Sequence, residues 1–268
     1  MVTFPACKIN LGLQIINKRP DGYHDLVTCF YPVPWTDILE IIPGDDFAFT
    51  STGSTIPGPT ESNLCIKAYK LLKKDFDLDP VKIHLHKIIP MGAGLGGGSA
   101  DGAYTLRLLN DIFQLHLSQQ ALMDYAAVLG SDCPFFIQDG AMIGEGRGEI
   151  LTKVPSILHG KYLVIVKPDI HVSTADAFAG IRPQVPQQFL QEQLFQSMAH
   201  WKLLLKNDFE ESVFEKHPSI KVIKEKLYSI GALYSSMSGT GAAVFGIFEA
   251  EVDVTNQFPK TTVWAGFL

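Results

Sequence analysis

Glycine is concentrated in one short segment of this chain. Five glycines, Gly92, Gly94, Gly96, Gly97 and Gly98, lie within seven residues, after a strand-like run over residues 81–89 and before a helix-like run that opens at Ser99. Because glycine has no Cβ atom, successive backbone N–H groups of such a loop can turn toward one ligand. The helix start behind it adds unpaired donors and the positive end of the helix dipole. The segment therefore predicts a phosphate cradle, most simply for a nucleotide.

The glycine spacing does not fit the two best-known nucleotide loops. Gly92-x-Gly94-x-x-Gly97 has the form of the dinucleotide fingerprint, which follows a fully buried strand and precedes an acidic residue about 20 positions on. Here residues 81–86 alternate apolar with polar, and the later region reads as a helix around Ser118. No Gly-Lys-Ser/Thr follows, which excludes a Walker A loop. A tight turn without a ligand stays open, although it would leave the entropy cost of five glycines unexplained.

An aspartate lies in an otherwise apolar turn, predicted between a helix and a strand. Asp132 belongs to Gly130-Ser131-Asp132-Cys133-Pro134-Phe135-Phe136. A carboxylate in such surroundings suits a general base. The alternative is an ordinary helix C-terminal turn in which Asp132 only accepts backbone hydrogen bonds.

A lysine interrupts an apolar strand near the N-terminus. Lys8 lies in Pro5-Ala6-Cys7-Lys8-Ile9-Asn10-Leu11-Gly12. Buried lysines are rare unless paired, and Asp132 is an attractive partner. The alternative places Lys8 on the solvent face of its strand.

These residues must be positioned by a mixed set of strands and helices. Residues 2–16 and 25–35 predict a hairpin whose polar tip is the Pro20-Asp21-Gly22 turn. The other predicted elements are strands at 38–42, 47–50 and 161–167 (a central strand), helices from Leu64, from Ala100, over 118–129 and over 218–230, a hairpin over 135–152 turning at Asp139-Gly140, and a loop Ser238-Gly239-Thr240-Gly241 that leads into a strand. A boundary near residues 155–160 divides the chain into domains 1–157 and 158–268.

Composition narrows the class of function. The 268 residues are 46% hydrophobic, carry a formal charge of −6 and include no basic cluster of the kind that nucleic-acid surfaces show. The four cysteines have no metal-ligand spacing and predict thiols in a reducing cytosol. No apolar run approaches the roughly 18 residues of a membrane span. We expect a soluble, cytoplasmic protein with a small-molecule substrate, no nucleic-acid or membrane partner, and no obligate protein partner.

Three segments together resemble the motifs of the GHMP kinases: residues 8–12, 90–99 and 238–241. The resemblance runs from about Ala6 to Phe248. It implies an α+β fold of two domains, an N-terminal ATP domain like domain 2 of ribosomal protein S5 and a C-terminal ferredoxin-like α/β sandwich. Within the superfamily, Arg19-Pro20-Asp21-Gly22-Tyr23-His24 is similar to the kinases of the non-mevalonate isoprenoid pathway that phosphorylate the C2 hydroxyl of a methylerythritol cytidine diphosphate ester.

The resemblance also implies roles for single residues. Asp132 would accept the hydroxyl proton, and Lys8 would pair with it and add positive charge near the transferred group. Tyr23, His24 and Phe178 would hold cytosine, and Asn10 and Thr174 the erythritol and diphosphate groups. ATP would bind the residues of the glycine segment: Pro90, Met91, Gly92, Ala93, Gly94, Leu95, Gly96, Gly97, Gly98, Ser99 and Ala100.

Magnesium would arrive with ATP and touch Ser99, and no protein carboxylate is assigned to it. Asn63 is an expected neighbour of the adenine on location alone. Tyr23 and His24 could also be solvated residues of a turn, and His84 and His86 read as the exposed face of a strand.

Two other functions remain open from the sequence. Another GHMP kinase would have an acceptor without cytosine, which the Tyr23-His24 block disfavours. A non-catalytic nucleotide-binding protein would need neither Lys8 nor Asp132.

Overall fold

A computed structural model describes residues 1–268 and contains twelve strands and eight α-helices. The strands are β1 (Val2–Thr3), β2 (Ala6–Lys18), β3 (His24–Thr36), β4 (Ile38–Pro43), β5 (Ala48–Gly53), β6 (Val81–Lys87), β7 (Met142–Glu145), β8 (Ile150–Lys153), β9 (Tyr162–Pro168), β10 (Tyr234–Met237), β11 (Val244–Phe248) and β12 (Thr261–Phe267). The helices are α1 (Leu64–Asp75), α2 (Gly97–Ile112), α3 (Gln119–Leu129), α4 (Thr174–Ala179), α5 (Leu190–Leu194), α6 (Met198–Leu204), α7 (Phe209–Lys216) and α8 (Pro218–Ser229). Short 3₁₀ helices lie at Thr60–Ser62 and Cys133–Ile137.

The chain forms two compact units that are discontinuous in sequence. The first comprises residues 1–7, 35–91 and 96–139, and the second comprises residues 8–34, 92–95 and 140–268. The domain boundary after residue 157 stays a prediction.

The first unit contains a four-stranded sheet in the order β1-β4-β6-β5 together with α1, α2 and α3. Strand β6 pairs antiparallel with β4 and parallel with β5. Its apolar positions, Val81, Ile83 and Leu85, are buried, as the alternating pattern predicts. His84 and His86 point to the other face, where both hydrogen-bond Thr52 of β5, so their structural interpretation is supported.

The second unit contains two four-stranded sheets, ordered β2-β3-β7-β8 and β10-β11-β9-β12. Strand β9 lies between β11 and β12 and is almost entirely buried, which confirms the predicted central strand. Its Val164 and Val166 share one core with Phe209 of α7 and with Ile220 and Leu227 of α8. The same core includes Leu13 of β2 and also Met237 and Ala242, which flank residues 238–241.

Two sequence expectations are wrong in detail. The hairpin predicted over 135–152 is shorter: Cys133–Ile137 is a 3₁₀ helix, and only β7 and β8 pair, turning at Gly146 and Gly148 rather than at Asp139-Gly140. Both turn glycines have positive φ, which suits a tight reversal, whereas Pro134 has no N–H to give to a sheet. Asp132 therefore precedes a 3₁₀ helix and not a strand. The strand predicted over 2–16 is divided into β1 and β2 at Phe4-Pro5.

Candidate active site

Strand β2 places Lys8 and Asn10 on one face, because alternate residues of a strand point the same way. Lys8 is only 3% exposed. Its Nζ donates to Oδ1 of Asn10 at 2.7 Å and to the backbone oxygen of Gly94 at 3.0 Å, and lies 5.3 Å from the centre of the Phe30 ring. The predicted burial of Lys8 is confirmed. The alternative, in which Lys8 lies on the solvent face of its strand, is wrong.

The side chain of Asn10 is fixed at both ends. Its Oδ1 accepts from Lys8, and its Nδ2 donates to Oγ1 of Thr28 at 2.9 Å. Thr28 in turn donates to the backbone oxygen of Gly12 at 2.6 Å. Asn10 and Thr28 are both buried. This chain of bonds orients the acceptor that holds the Lys8 ammonium.

The glycine segment has the backbone that a phosphate cradle needs. Gly92, Gly94 and Gly96 all have positive φ, at 61°, 77° and 72°. A Cβ atom on Gly94 would lie 1.9 Å from the backbone oxygen of Ser238, and one on Gly97 would lie 2.9 Å from Cγ2 of Ile89. Glycine is thus required by conformation at three positions and by space at two.

Helix α2 begins inside the glycine segment, at Gly97 rather than at Ser99. Gly96 is its N-cap and offers no side chain to the first N–H groups of the helix. Those groups have no partner within the helix and are suited to bind an anion. The segment therefore fits the phosphates of a nucleotide.

The loop over residues 238–241 contacts the glycine segment and Asn10 of β2. Oγ of Ser238 donates to the backbone oxygen of Gly94 at 2.8 Å and approaches Oδ1 of Asn10 at 3.4 Å. The N–H of Ala243 donates to the oxygen of Ala93 at 3.1 Å. The three segments that the sequence singled out are thus joined by hydrogen bonds at Gly94.

The tip between β2 and β3 carries the aromatic residues expected to recognise the acceptor. Tyr23 is 54% exposed, and the guanidinium of Arg147 lies 4.9 Å from its ring centre. His24 stacks on Phe178, with ring centres 5.0 Å apart and planes inclined by 26°. Burial, followed by the charge of Lys18, holds the pKa of His24 below its usual value, which favours the neutral imidazole.

Thr174 and Phe178 lie four residues apart in helix α4, whose N-cap is Ser173. Residues at this spacing share one face of a helix, so the two predicted acceptor ligands are neighbours. Phe178 also packs against Phe209, with ring centres 4.8 Å apart. Thr174 itself is exposed.

Asp132 follows α3 in the first unit and is half-buried. Pro134, Phe135 and Phe136 behind it are all buried, which confirms the apolar surroundings expected from the sequence. The thiol of Cys133 interacts with the hydroxyl of Ser99, and burial raises the pKa of this thiol to about 12. The Asp132 turn therefore lies beside the first turn of α2, next to the predicted phosphate cradle.

Two models of the GHMP kinase family match the chain: the N-terminal domain over residues 63–140 and the C-terminal domain over residues 189–260. The 4-diphosphocytidyl-2-C-methyl-D-erythritol kinase of Cytophaga hutchinsonii is 49% identical over 259 residues, covering 96% of each chain. The enzyme of the same name from Bacteroides fragilis is 51% identical over 261 residues, covering 96% of this chain and 95% of its own. The chain belongs to this family of kinases.

Solved structures agree with the family. A crystal structure of 4-(cytidine 5′-diphospho)-2C-methyl-D-erythritol kinase has a TM-score of 0.84 and 29% identity, and covers 99% of this chain and 98% of its own. A homoserine kinase from Cytophaga hutchinsonii, at 16% identity and a TM-score of 0.66 over 98% of this chain and 95% of its own, shares the fold. The predicted two-domain GHMP kinase fold is confirmed, and the chain is a kinase that uses ATP as phosphate donor.

A buried charge cluster beside the glycine segment was not predicted from the sequence. Nζ of Lys87 pairs with Asp37 and, at 2.8 Å, with Asp101 of α2. Asp37 also accepts from the N–H groups of Ile88 and Ile89, so it holds the chain that leads into the glycines. A signal was present, because Lys87 continues the inward-facing series of β6 where an apolar residue is expected.

The charged groups of this buried cluster change one another's pKa values. Burial lowers the pKa of Lys87, but the carboxylates of Asp101 and Asp37 outweigh it and the net shift is upward. Burial raises the pKa of Asp101 to about 7, since the charge of Lys87 only partly compensates it. Oδ1 of Asp101 has no hydrogen-bond partner.

The kinase has no cluster of three or more His, Cys, Asp or Glu side chains that could hold a metal ion. All four cysteines are buried free thiols. None of its helices combines the length and the apolar character needed to cross a membrane.

Proposed function

We propose that this kinase transfers the γ-phosphoryl group of ATP to the C2 hydroxyl of 4-diphosphocytidyl-2-C-methyl-D-erythritol, within the non-mevalonate route to isoprenoid precursors. The single observation that carries the chemistry is the position of Lys8, whose buried ammonium is held against the glycine segment by Gly94 and Asn10. A buried cation at a phosphate cradle stabilises charge that develops during phosphoryl transfer. We assign ATP binding to domain 1–157.

In the proposed reaction, the carboxylate of Asp132 accepts the proton of the C2 hydroxyl. The hydroxyl oxygen forms a bond to the γ-phosphorus, the bond from that phosphorus to the bridging oxygen breaks, and ADP leaves. The buried residues 134–136 limit the water that could take the proton instead. Lys8 pairs with Asp132 and supplies positive charge to the transferring group.

Residues 90–100 would receive the phosphates of ATP, chiefly through the N–H groups at the start of α2. A bound magnesium ion would neutralise phosphate charge during transfer. The Ser99 hydroxyl is the protein group we propose for that ion.

We propose that Tyr23 and Phe178 stack on the cytosine. His24 now covers Phe178, so a base on that face requires the imidazole to move aside, where it becomes available to hydrogen-bond the edge of the base. Arg147 lies over one face of Tyr23 and leaves the opposite face for the base. Asn10 and Thr174 are proposed to contact the erythritol and diphosphate groups. We place the reaction in the cytoplasm, where four free thiols stay reduced.

The proposal is tested by measuring ADP release with a panel of acceptor alcohols. We expect turnover with the cytidine diphosphate ester and none with methylerythritol phosphate, mevalonate or homoserine. Equal turnover of mevalonate or homoserine would assign the chain to another GHMP activity. ATP binding without turnover of any acceptor would instead indicate a non-catalytic nucleotide-binding protein.

A further inference from the structure

Asn207 connects the segment before α7 to the loop over residues 238–241, and no sequence motif predicted this contact. The segment just before α7 lies along β2, where the N–H of Leu13 donates to the oxygen of Lys206 at 2.8 Å and the N–H of Asp208 donates back to Leu13 at 2.9 Å. Oδ2 of Asp208 accepts from the N–H of Ile15 at 2.7 Å. Residues 206–208 are therefore fixed to the strand that carries Lys8 and Asn10.

The Asn207 side chain reaches from this segment to the loop over residues 238–241. Its Nδ2 donates to the backbone oxygens of Met237 and Gly239, both at 2.8 Å, and its Oδ1 accepts from the N–H of Phe209 at 3.0 Å. The residue is 2% exposed. Both N–H donors are thus used on the loop, and only the oxygen serves the start of α7.

The loop that Asn207 holds sets the groups around Lys8. Ser238 donates to the oxygen of Gly94, which also accepts from Lys8. A Cβ atom on Gly239, where φ is +54°, would lie 3.2 Å from that same oxygen and 3.4 Å from Oδ1 of Asn10. Such close packing means that a shift of the loop would move the Gly94 carbonyl or the Asn10 amide, and with them the ammonium of Lys8.

We infer that Asn207 is a positioning residue for phosphoryl transfer, which acts by fixing residues 237–239 against Gly94 and Asn10. This inference rests on the proposed function. A misplacement of about 1 Å at a reacting centre can cost on the order of 10²-fold in rate. Asn207 itself touches neither substrate in this scheme, so its effect should appear in kcat rather than in substrate binding.

The test compares Asn207→Ser with Asp208→Ala. A serine at 207 can still accept from the N–H of Phe209 but is too short to reach Met237 and Gly239. Asp208→Ala removes the side-chain bond to Ile15 but keeps both backbone bonds to Leu13 and both loop contacts of Asn207, so it is the matched structural control. We expect Asn207→Ser to lower kcat at least about tenfold with KM for both substrates within about twofold, and Asp208→Ala to keep kcat within about twofold.

Hydrogen exchange of peptides covering residues 237–243 supplies a readout that needs no substrate. We expect faster exchange there in Asn207→Ser and unchanged exchange in Asp208→Ala. Equal exchange and equal kcat in the two variants would overturn the inference. Should Asn207→Ser fail to fold, Asn207→Asp keeps the bond to Phe209 and is judged by the same criteria. A wild-type protein that leaves the cytidine ester unchanged contradicts the proposed function, while the exchange comparison still decides the role of Asn207.

Discussion

The Nζ of Lys8 lies 2.7 Å from Oδ1 of Asn10, two residues along the same strand. An amide oxygen stabilises an ammonium by accepting a hydrogen bond, and it adds no formal charge to the site. This arrangement suits a cation that acts on a transferring phosphoryl group.

Lys8→Met should lower kcat by about 10²–10³, because it removes a preorganised positive charge from the site. Asp132→Asn keeps the shape of the side chain but cannot accept the hydroxyl proton, and should cost about 10²–10⁴ in kcat. Steady-state kinetics of both single variants and of the double variant check this. If the two residues act as one unit, the double variant is little worse than either single one.

Lys221→Met, at an exposed position, is the control. Multiplicative losses, or near-normal kcat in Asp132→Asn, would contradict the assignment.

Two glycines of the cradle should respond in opposite ways to alanine. A Cβ atom on Gly94 collides with the backbone of Ser238, so Gly94→Ala should destabilise the fold by more than about 1 kcal/mol. Gly98 lies inside α2 with only Cε of Met91 near its Cβ position, at 3.8 Å. Gly98→Ala should therefore stabilise the protein by about 0.5–1 kcal/mol.

Titration calorimetry measures the affinity for ATP, and urea unfolding measures stability, so the two effects can be separated. If the phosphates lie on the N–H groups of the first turn of α2, Gly98→Ala should weaken ATP binding while its urea midpoint rises. A Gly98→Ala protein with unchanged affinity for ATP would place the phosphates elsewhere.

Stacking on cytosine should make acceptor recognition sensitive to Tyr23 and Phe178. Tyr23→Ala and Phe178→Ala should each raise KM for the cytidine ester about tenfold, since a stacked base is worth about 1–3 kcal/mol. KM for ATP should not change. Phe189→Ala, which removes an exposed phenylalanine, is the control and should leave both constants alone. Loss of ATP affinity in the Tyr23 variant would indicate a general disturbance of the site.

Much of this architecture could be predicted from local patterns. Ser118 and Gly130 marked both ends of α3, and the alternation of Val81, Ile83 and Leu85 identified β6, because capping and periodicity are properties of neighbouring residues. The hairpin turn was predicted at the wrong position because the segment contains two turn signals, Asp139-Gly140 and the glycines at 146 and 148. The chain reverses at the second of them. The domain boundary and the roles of the site residues remain predictions.

Long-range contacts could not be predicted in the same way. Asn207 reaches residues about thirty positions later in the chain, and Asp37 pairs with a lysine fifty positions on. No local pattern encodes such pairs. The position of Lys87 on the inward face of β6 was the one warning that a buried charge needed partners.

The Asp101 carboxyl should make stability depend on pH. Its pKa rises from 3.8 to about 7 on folding, so the folded state binds the extra proton and loses stability as the pH rises from about 4 to about 7. The Asp101→Asn variant has no carboxyl group at this position and therefore does not lose stability in this way. Its urea midpoint relative to wild type should increase across that range and level off above pH 7, whereas Asp124→Asn, at an exposed position, should show no such trend. A difference independent of pH would show that Asp101 is ionised throughout.

Phosphorus NMR of the reaction product identifies the hydroxyl that receives the phosphoryl group. The purified protein is incubated with ATP, magnesium and 4-diphosphocytidyl-2-C-methyl-D-erythritol, and the product is separated from ADP. We expect one new phosphomonoester signal and an intact diphosphate. The new signal should show no three-bond phosphorus–proton coupling, because the tertiary C2 carbon carries no proton. A phosphate on a primary or secondary hydroxyl, or cleavage of the diphosphate, would contradict the proposed function.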